Sequence, residues 1–446
     1  MKKFRCLYIP IGVPTFHLES AQEVFEASVK TLKKIDASIV VPDTMLLTLN
    51  DVRTFIQDEH PTLIIVQNVT FAHSAYVTEI LNHLDAPMVL WTPKEPVING
   101  TRLRLNALTG AFSAGFAHKA MRNDDLHYVY GSADDDAVIE NLSTVVHAAK
   151  IKASLHGLNL AMVGHTPPGF GFGRALDLDM ASVFGVNLVA IESRELMEKA
   201  KSYTEADLKE ENDSAHNRMV DLHKTNDKNR VDFIRLYKAY KDYCQNNNVK
   251  ALASRCWPDY FDTYGTPVCG VLGMLNDENV AAACEADAYG ALSMVIGQSL
   301  SEKPTYLGDP VSMDQEENTL TFWHCGTSAC SLAHPKTGAT VGVHPNRKIG
   351  PTMEFGLKAE AKATVFRVGR KPDGSFRFFV ASGAILDKPQ QFFGTSLVFK
   401  PETAVEPLVS NLVKDGWEPH YAVIYGDVKA TLKALAALLS VDVVEY

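Results

Sequence analysis

A chain of 446 residues, 46% hydrophobic and 22% charged, has the length for about three domains and the composition of an ordinary globular protein. Its 43 basic against 53 acidic residues give a formal charge of −10, which disfavours nucleic acid and anionic membrane as primary partners. Small neutral ligands stay open.

In the N-terminal stretch MKKFRCLYIPIG, Arg5 and Pro10 interrupt the apolar run and no small-residue cleavage site follows, so no signal peptide is expected. The long uncharged stretches 60–78 and 153–173 contain His60, Gln67, Asn68, Pro167 and Pro168, unlike a membrane span. Seven scattered cysteines without a C-x-x-C pair fit reduced thiols in a cytoplasmic protein, most of them small core residues.

The first third alternates β-branched runs with helical periodicity. FRCLYIPI reads as a strand, Ser20 to Ile35 as a helix and ASIVV as a second strand; another helix and then TLIIVQ, ending at Asn68, follow. AYVTEILNHL then predicts a helix and PMVLW a strand, so residues 1–155 are expected to form a doubly wound parallel sheet. Ligand loops in such sheets follow the carboxyl ends of strands, which makes QNVTFAHS and WTPKEP candidate site walls.

A second doubly wound domain, 156–303, starts with NLAMVG, a Gly/Pro loop, a helix and NLVAIE. Gly169, Gly171 and Gly173, with Glu192 ending the next strand, imitate a dinucleotide fingerprint. The third glycine of that fingerprint is missing at the required spacing, and Pro167 and Pro168 stiffen the turn, so a structural or sugar-site loop is the better reading. Arg194 to Lys250 carries mixed charge at helical spacing and reads as a solvated helical arm. ALASRCWPDY and NVAAACEAD read as strand ends entering loops, ahead of the helix AYGALSMVIGQSL.

The texture then changes. TLTFWHC, ATVFRVGRK, SFRFFVASGAIL and SLVFK are strands joined by turns such as PDG, which predicts a mainly antiparallel, barrel-like β domain over 304–446. YAVIYGD and the helix VKATLKALAALL end it as a last α/β element.

Four residues in separated segments carry the candidate chemistry: Glu285, Asp309, His324 and His420. Glu285 follows VAAAC, at the tip of an expected buried strand, where an unpaired charge is costly unless it is used. Two carboxylates and one or two imidazoles suit Mn²⁺, and also Co²⁺, Fe²⁺ or Zn²⁺. Taken alone, each residue reads as structural, a capped turn or a satisfied core histidine.

RCWPDY, PVCGVLGMLNDENVAAACEADAYGALSMVIGQSL and PTYLGDP, followed in order by FWHCG, VASGAILDKP, FGTSLVF and a histidine before a YGD turn, resemble the L-fucose isomerase and L-arabinose isomerase family. APMVLWTPKEP, RLRLNALTGAFSAG and MVGHTPPGF extend the resemblance over nearly the whole chain. It implies a metal-dependent intramolecular oxidoreductase that interconverts an aldose and its ketose. Glu285, Asp309 and His420 match the family's three metal ligands, and His324 resembles a fourth ligand of the arabinose isomerase branch. The implied ion is Mn²⁺, or another divalent cation such as Co²⁺, Fe²⁺ or Mg²⁺. Two features depart from the family: the chain is much shorter than typical fucose isomerases, and Pro419-His420 stands where a His-His pair is frequent.

The implied chemistry moves a proton between C2 and C1 through an enediolate, whose charge a divalent cation on O1 and O2 stabilises. Glu285 is the expected base and Asp309 its partner. Arg255 and Trp257 are expected to line the sugar pocket. The family's shared sites would bring Trp91 and His118 near a neighbouring subunit's substrate, in a homo-oligomer of trimeric or hexameric form. The expected substrate is a pentose, a 6-deoxyhexose or a hexose derivative. One alternative is an anionic sugar such as sulfoquinovose, met by Arg255, Arg102, Arg104 or Arg174. Others are a non-catalytic sugar-binding protein of the same fold and an NAD-linked oxidoreductase.

Overall fold

The computed structural model describes residues 3–446; Met1 and Lys2, with which the first expected domain begins, lie outside the described residues. The chain parts into two compact units, one running to Ser154 and taking in Lys433–Ser440, the other made of Leu155–Leu432 and Val441–Tyr446. The segments 156–303 and 304–446 carry separate sheets inside the second unit.

In the first unit β1 (Cys6–Ile11), β2 (Leu63–Asn68), β3 (Met88–Thr92) and β4 (His127–Tyr130) form a parallel sheet in the order β1-β2-β3-β4. β1, β2 and β3 are buried at every residue, as strands covered on both faces must be, and their sequences are accordingly apolar runs broken only by Gln67, Asn68 and Thr92 at the carboxyl ends of β2 and β3. The crossover helices are α1 (Leu18–Ile35), α2 (Leu49–Ile56), α3 (Ala75–His83), α4 (Ala107–Met121) and α5 (Asp136–Leu155). α2 is held at its start by a capping box between Thr48 and Asp51. ASIVV does not form the expected strand: only Val40 bridges to Leu7, because a turn at Asp36–Ser38 precedes it and Pro42, which has no N–H to donate, follows.

The second unit opens with another parallel sheet, β5 (Asn159–Val163), β6 (Asn187–Ile191), β7 (Val249–Ser254) and β8 (Ala281–Ala283), in the order β6-β5-β7-β8. The 194–250 segment is not a solvated arm. Its helix Asp227–Asn246 buries Phe233, Ile234, Leu236, Tyr237, Ala239, Tyr240 and Cys244, so one face belongs to the core and only the other is wet.

The remaining strands are β9 (Tyr306–Asp314), β10 (Thr319–His324), β11 (Val341–Gly342), β12 (Thr352–Met353), β13 (Phe355–Gly356), β14 (Glu360–Arg370), β15 (Phe376–Ile385), β16 (Thr395–Pro401), β17 (Tyr421–Ile424) and β18 (Asp442–Glu445). β16-β10-β9-β17-β14-β15 pair antiparallel in sequence, and β15 pairs back onto β16, which closes the ring into a barrel and leaves no free edge between these strands. YAVI is thus a barrel strand between β9 and β14, and not part of a separate α/β element.

The helix Ala288–Ser301, buried on all sides over most of its length, packs against β7 and β8 as well as β14 and β17, and so joins sheet to barrel. A Cβ on Gly297 would lie 2.7 Å from the Ile424 side chain, so only glycine lets the helix approach β17 this closely. That contact sets the start of the helix beside the start of β17. Among the described residues, no helix is long and apolar enough to cross a membrane.

Candidate active site

The four candidate residues converge through two pieces of topology. Asp309 on β9, His324 at the end of β10 and His420 immediately before β17 share one rim of the barrel, because β9 lies between the other two strands and Tyr421 pairs with Gly308 while Trp323 pairs with Asp309. β9 bulges at Val311, next to Pro310, a position where a strand tolerates a residue without an N–H. Glu285 comes from the other side, just past the carboxyl end of β8. Glu285 and Ala286 both adopt left-handed backbone, at φ 58° and 54°. For residues with a Cβ this costs about 1–3 kcal/mol each, strain of the kind that gathers at functional sites.

His420 Nε2 lies 3.1 Å from Glu285 Oε2 and 3.3 Å from Asp309 Oδ1. The His324 and His420 rings are 5.7 Å apart, and donor atoms of Glu285, His324 and His420 all fall within 4.8 Å of one another. Both histidines are buried. His324 Nε2 is buried without a hydrogen-bond partner, while its Nδ1 accepts from the Cys325 N–H at 2.9 Å. An orphaned imidazole nitrogen facing a cluster of carboxylate and imidazole donors is the state expected of a site that receives a cation, so these residues fit a divalent metal.

The electrostatics are those of a buried, mixed-charge cluster. Burial works against a charge on His420, but Asp287, Glu285 and Asp309 outweigh it and push its pKa up to about 10. His324 is likewise pushed up to about 9 against burial, by Cys325 and Asp309. Burial raises Glu285, yet His420, His324 and the Trp257 N–H hold it below its ordinary value; Asp309 stays above its own, because burial and the Glu285 and Asp287 charges exceed the pull of the two imidazoles.

Asp287 was visible in the sequence only as the last letter of C-E-x-D. It caps the helix Ala288–Ser301 by accepting from the Gly290 N–H at 2.9 Å, and it lies 2.9 Å from His420 Nδ1, which turns Nε2 toward Glu285 and Asp309. Its charge is matched by Arg367 on β14, fully buried and bonded to both carboxylate oxygens. A lone buried arginine in the strand ATVFRVGRK was the available signal for that partner.

Trp257 donates its indole N–H to Glu285 Oε1 at 3.0 Å, which places it beside the cluster. Arg255 lies two residues before it and is paired with Asp259 at 3.2 Å. The loop that imitated a dinucleotide fingerprint is at the same site: the Phe172 ring stands edge-on to His420 at 5.3 Å and Phe170 to Trp257 at 5.8 Å. Trp91 and His118 belong to the first unit. Trp91 is a core residue there, its N–H donated to the Gly131 carbonyl, and His118 is buried 3.6 Å from Asp124. Behind the cluster, the thiols of Cys269, Cys284 and Cys325 meet in the core, with 3.7 Å between the sulfurs of Cys269 and Cys325.

Residues 344–446 match the family described as L-fucose isomerase, C-terminal domain. Along its full length the chain is 55% identical to the "Sulfoquinovose isomerase" of Clostridium sp. (strain MSTE9), with all of both chains covered. It is 35% identical to the protein of the same name from Priestia aryabhattai, again over all of both chains, and 35% identical to that of Alkalicoccus urumqiensis over 98% of each.

Proposed function

The chain belongs to the fucose isomerase-like sugar isomerases that include these sulfoquinovose isomerases and is an aldose–ketose isomerase, and we propose that its own substrate is sulfoquinovose, a six-carbon aldose ending in a sulfonate. The observation that carries this reading is the meeting of Glu285, Asp309, His324 and His420 at one point, in a chain that aligns end to end with a protein named for that sugar.

Glu285, Asp309 and His420, with His324 as a fourth donor, would hold a divalent cation, Mn²⁺ ahead of Co²⁺, Fe²⁺ and Mg²⁺. Such a cation, when bound, stabilises negative charge on the two sugar oxygens at C1 and C2. The chain's own groups do the rest. Glu285 takes the proton from C2 and returns it to C1, while Asp309, across the cluster, hands a proton to the oxygen at C1 and accepts the one leaving the oxygen at C2. The sugar neither gains nor loses hydrogen overall. Trp257 holds Glu285 Oε1 while Oε2 lies beside His420 Nε2, and Asp287 keeps His420 in the orientation the cluster needs. Phe170 and Phe172 add an apolar wall beside Trp257 and His420.

The working form we infer is a homo-oligomer, a trimer or hexamer, in the cytoplasm. Free thiols at all seven cysteines support a reducing compartment. Leu108, Phe112 and Phe116 on α4 support self-association: they line one stripe at four-residue spacing, the two phenylalanines 76% and 77% exposed.

Incubation of the Mn²⁺-supplemented protein with sulfoquinovose, followed by NMR, should show the corresponding 2-ketose accumulating to a fixed ratio from either side. Absence of conversion with sulfoquinovose, alongside turnover of a neutral aldose, would replace the proposed substrate with that neutral sugar.

A further inference from the structure

The geometry points to Arg347 as the seat of an anion subsite that receives the substrate's terminal sulfonate, an assignment that rests on the anionic-sugar reading above. Four arginines were candidates for this task from sequence, and the structure gives each another partner. Arg255 is paired with Asp259; Arg174 donates to Thr166 Oγ1; Arg102 and Arg104, in the first unit, donate to the Thr15 carbonyl and Ser20 Oγ. Arg347 differs. Its guanidinium carbon stands 5.3 Å from the ring centre of Trp257 and 5.0 Å from that of Phe261, and among the described residues no carboxylate pairs with it.

The turn that carries Arg347 is built to hold it there. Buried His344 accepts the backbone N–H of both Asn346 and Arg347 on its Nδ1, each at 3.3 Å, and its ring packs edge-on to Phe261 at 5.0 Å. The turn is closed by the His344 N–H to the Ile349 carbonyl and the Lys348 N–H to the His344 carbonyl. Arg347 is exposed, and these bonds fix its backbone while the two rings place its guanidinium. A planar guanidinium laid on two aromatic faces keeps its N–H edge free, the edge that meets a three-oxygen anion in paired hydrogen bonds.

Position decides the ligand. Trp257 touches Arg347 with its ring and Glu285 with its N–H, so a single indole separates the reacting end of the site from the cation. That span suits a six-carbon chain with C1 and C2 at Glu285 and an anionic group on C6, its CH groups lying along the tryptophan face.

The test compares two sugars that differ only in the sulfonate, sulfoquinovose and 6-deoxyglucose, with native enzyme, Arg347→Met and Arg347→Lys, all metal-supplemented. In Arg347→Met the ratio of kcat/KM for the sulfonated over the neutral sugar should fall roughly 10- to 100-fold, through KM more than kcat, as when a charge-assisted hydrogen bond is removed. Arg347→Lys should keep part of the ratio. Equal losses on both sugars would show a structural role and overturn the subsite, as would an unchanged ratio in both variants. A native enzyme with no preference for the sulfonated sugar would instead defeat the substrate reading itself, and the subsite with it.

Discussion

Glu285 stands between two demands, since it touches His420 and is also the base of the proposed reaction. Glu285→Gln keeps the volume and removes the charge, so kcat should fall by at least ~10²-fold even at saturating metal, with the fold intact by circular dichroism. Near-native turnover in a metal-loaded Glu285→Gln protein would transfer the base to Asp309. His324→Asn removes an imidazole whose Nε2 has no other partner; a supporting ligand of this kind should cost ~10 to 100-fold, and a larger loss in kcat than in Glu285→Gln would reverse the two roles. Of these residues Glu285 was the easiest to read, because VAAAC places it at the end of a buried run. Arg347 carried no signal at all: its meaning lies in the ring beneath it, and Trp257 is ninety positions away in the chain.

The helix Ala288–Ser301 and β14 act together on Asp287, the one through its N-terminus and the other through Arg367. Removing one partner of a buried ion pair leaves the other uncompensated, at a cost of about 3–5 kcal/mol. Arg367→Met should therefore melt at a distinctly lower temperature and bind metal more weakly, since Asp287 also orients His420. Asp287→Asn, which keeps the shape but leaves the Arg367 charge uncompensated, should weaken metal affinity ~10 to 100-fold, measured by competition with a chelating dye, with a comparable loss of stability. A melting temperature unaltered in Arg367→Met would show that this pair adds nothing to the fold. Elements with sustained apolar runs were legible, as β1, β2 and the helix over 288–301 illustrate. The helix Asp227–Asn246 was misread because its charges are conspicuous, although Phe233, Leu236, Tyr237, Tyr240 and Cys244 already recur at core spacing.

For the whole molecule, exhaustive chelation should abolish turnover and Mn²⁺ should restore it, because the donors form one cluster and metal binding is linked to their protonation. Full activity at negligible metal content, established by mass spectrometry, would sink the metal assignment. Phe112→Asp combined with Phe116→Asp places charge on the α4 stripe, and sedimentation should then show a smaller species with reduced activity. An unchanged sedimentation coefficient would clear α4 of any part in assembly. By itself the sequence determined the alternation of strands and helices, the change to antiparallel β texture after residue 304, the kinship to sugar isomerases and the four residues of the cluster. The first two follow from periodicity and residue type, which are local; the kinship and the four residues follow from the family's motifs standing in order along the chain. Only the tertiary structure decided that YAVI closes a barrel between β9 and β14, that Asp287 and Arg367 stand behind His420, and that a sheet tip and a barrel rim face each other across the site. Such contacts depend on which strands pair and in what register, and pairing between segments more than a hundred residues apart is settled by the burial of the whole core, which no local stretch encodes.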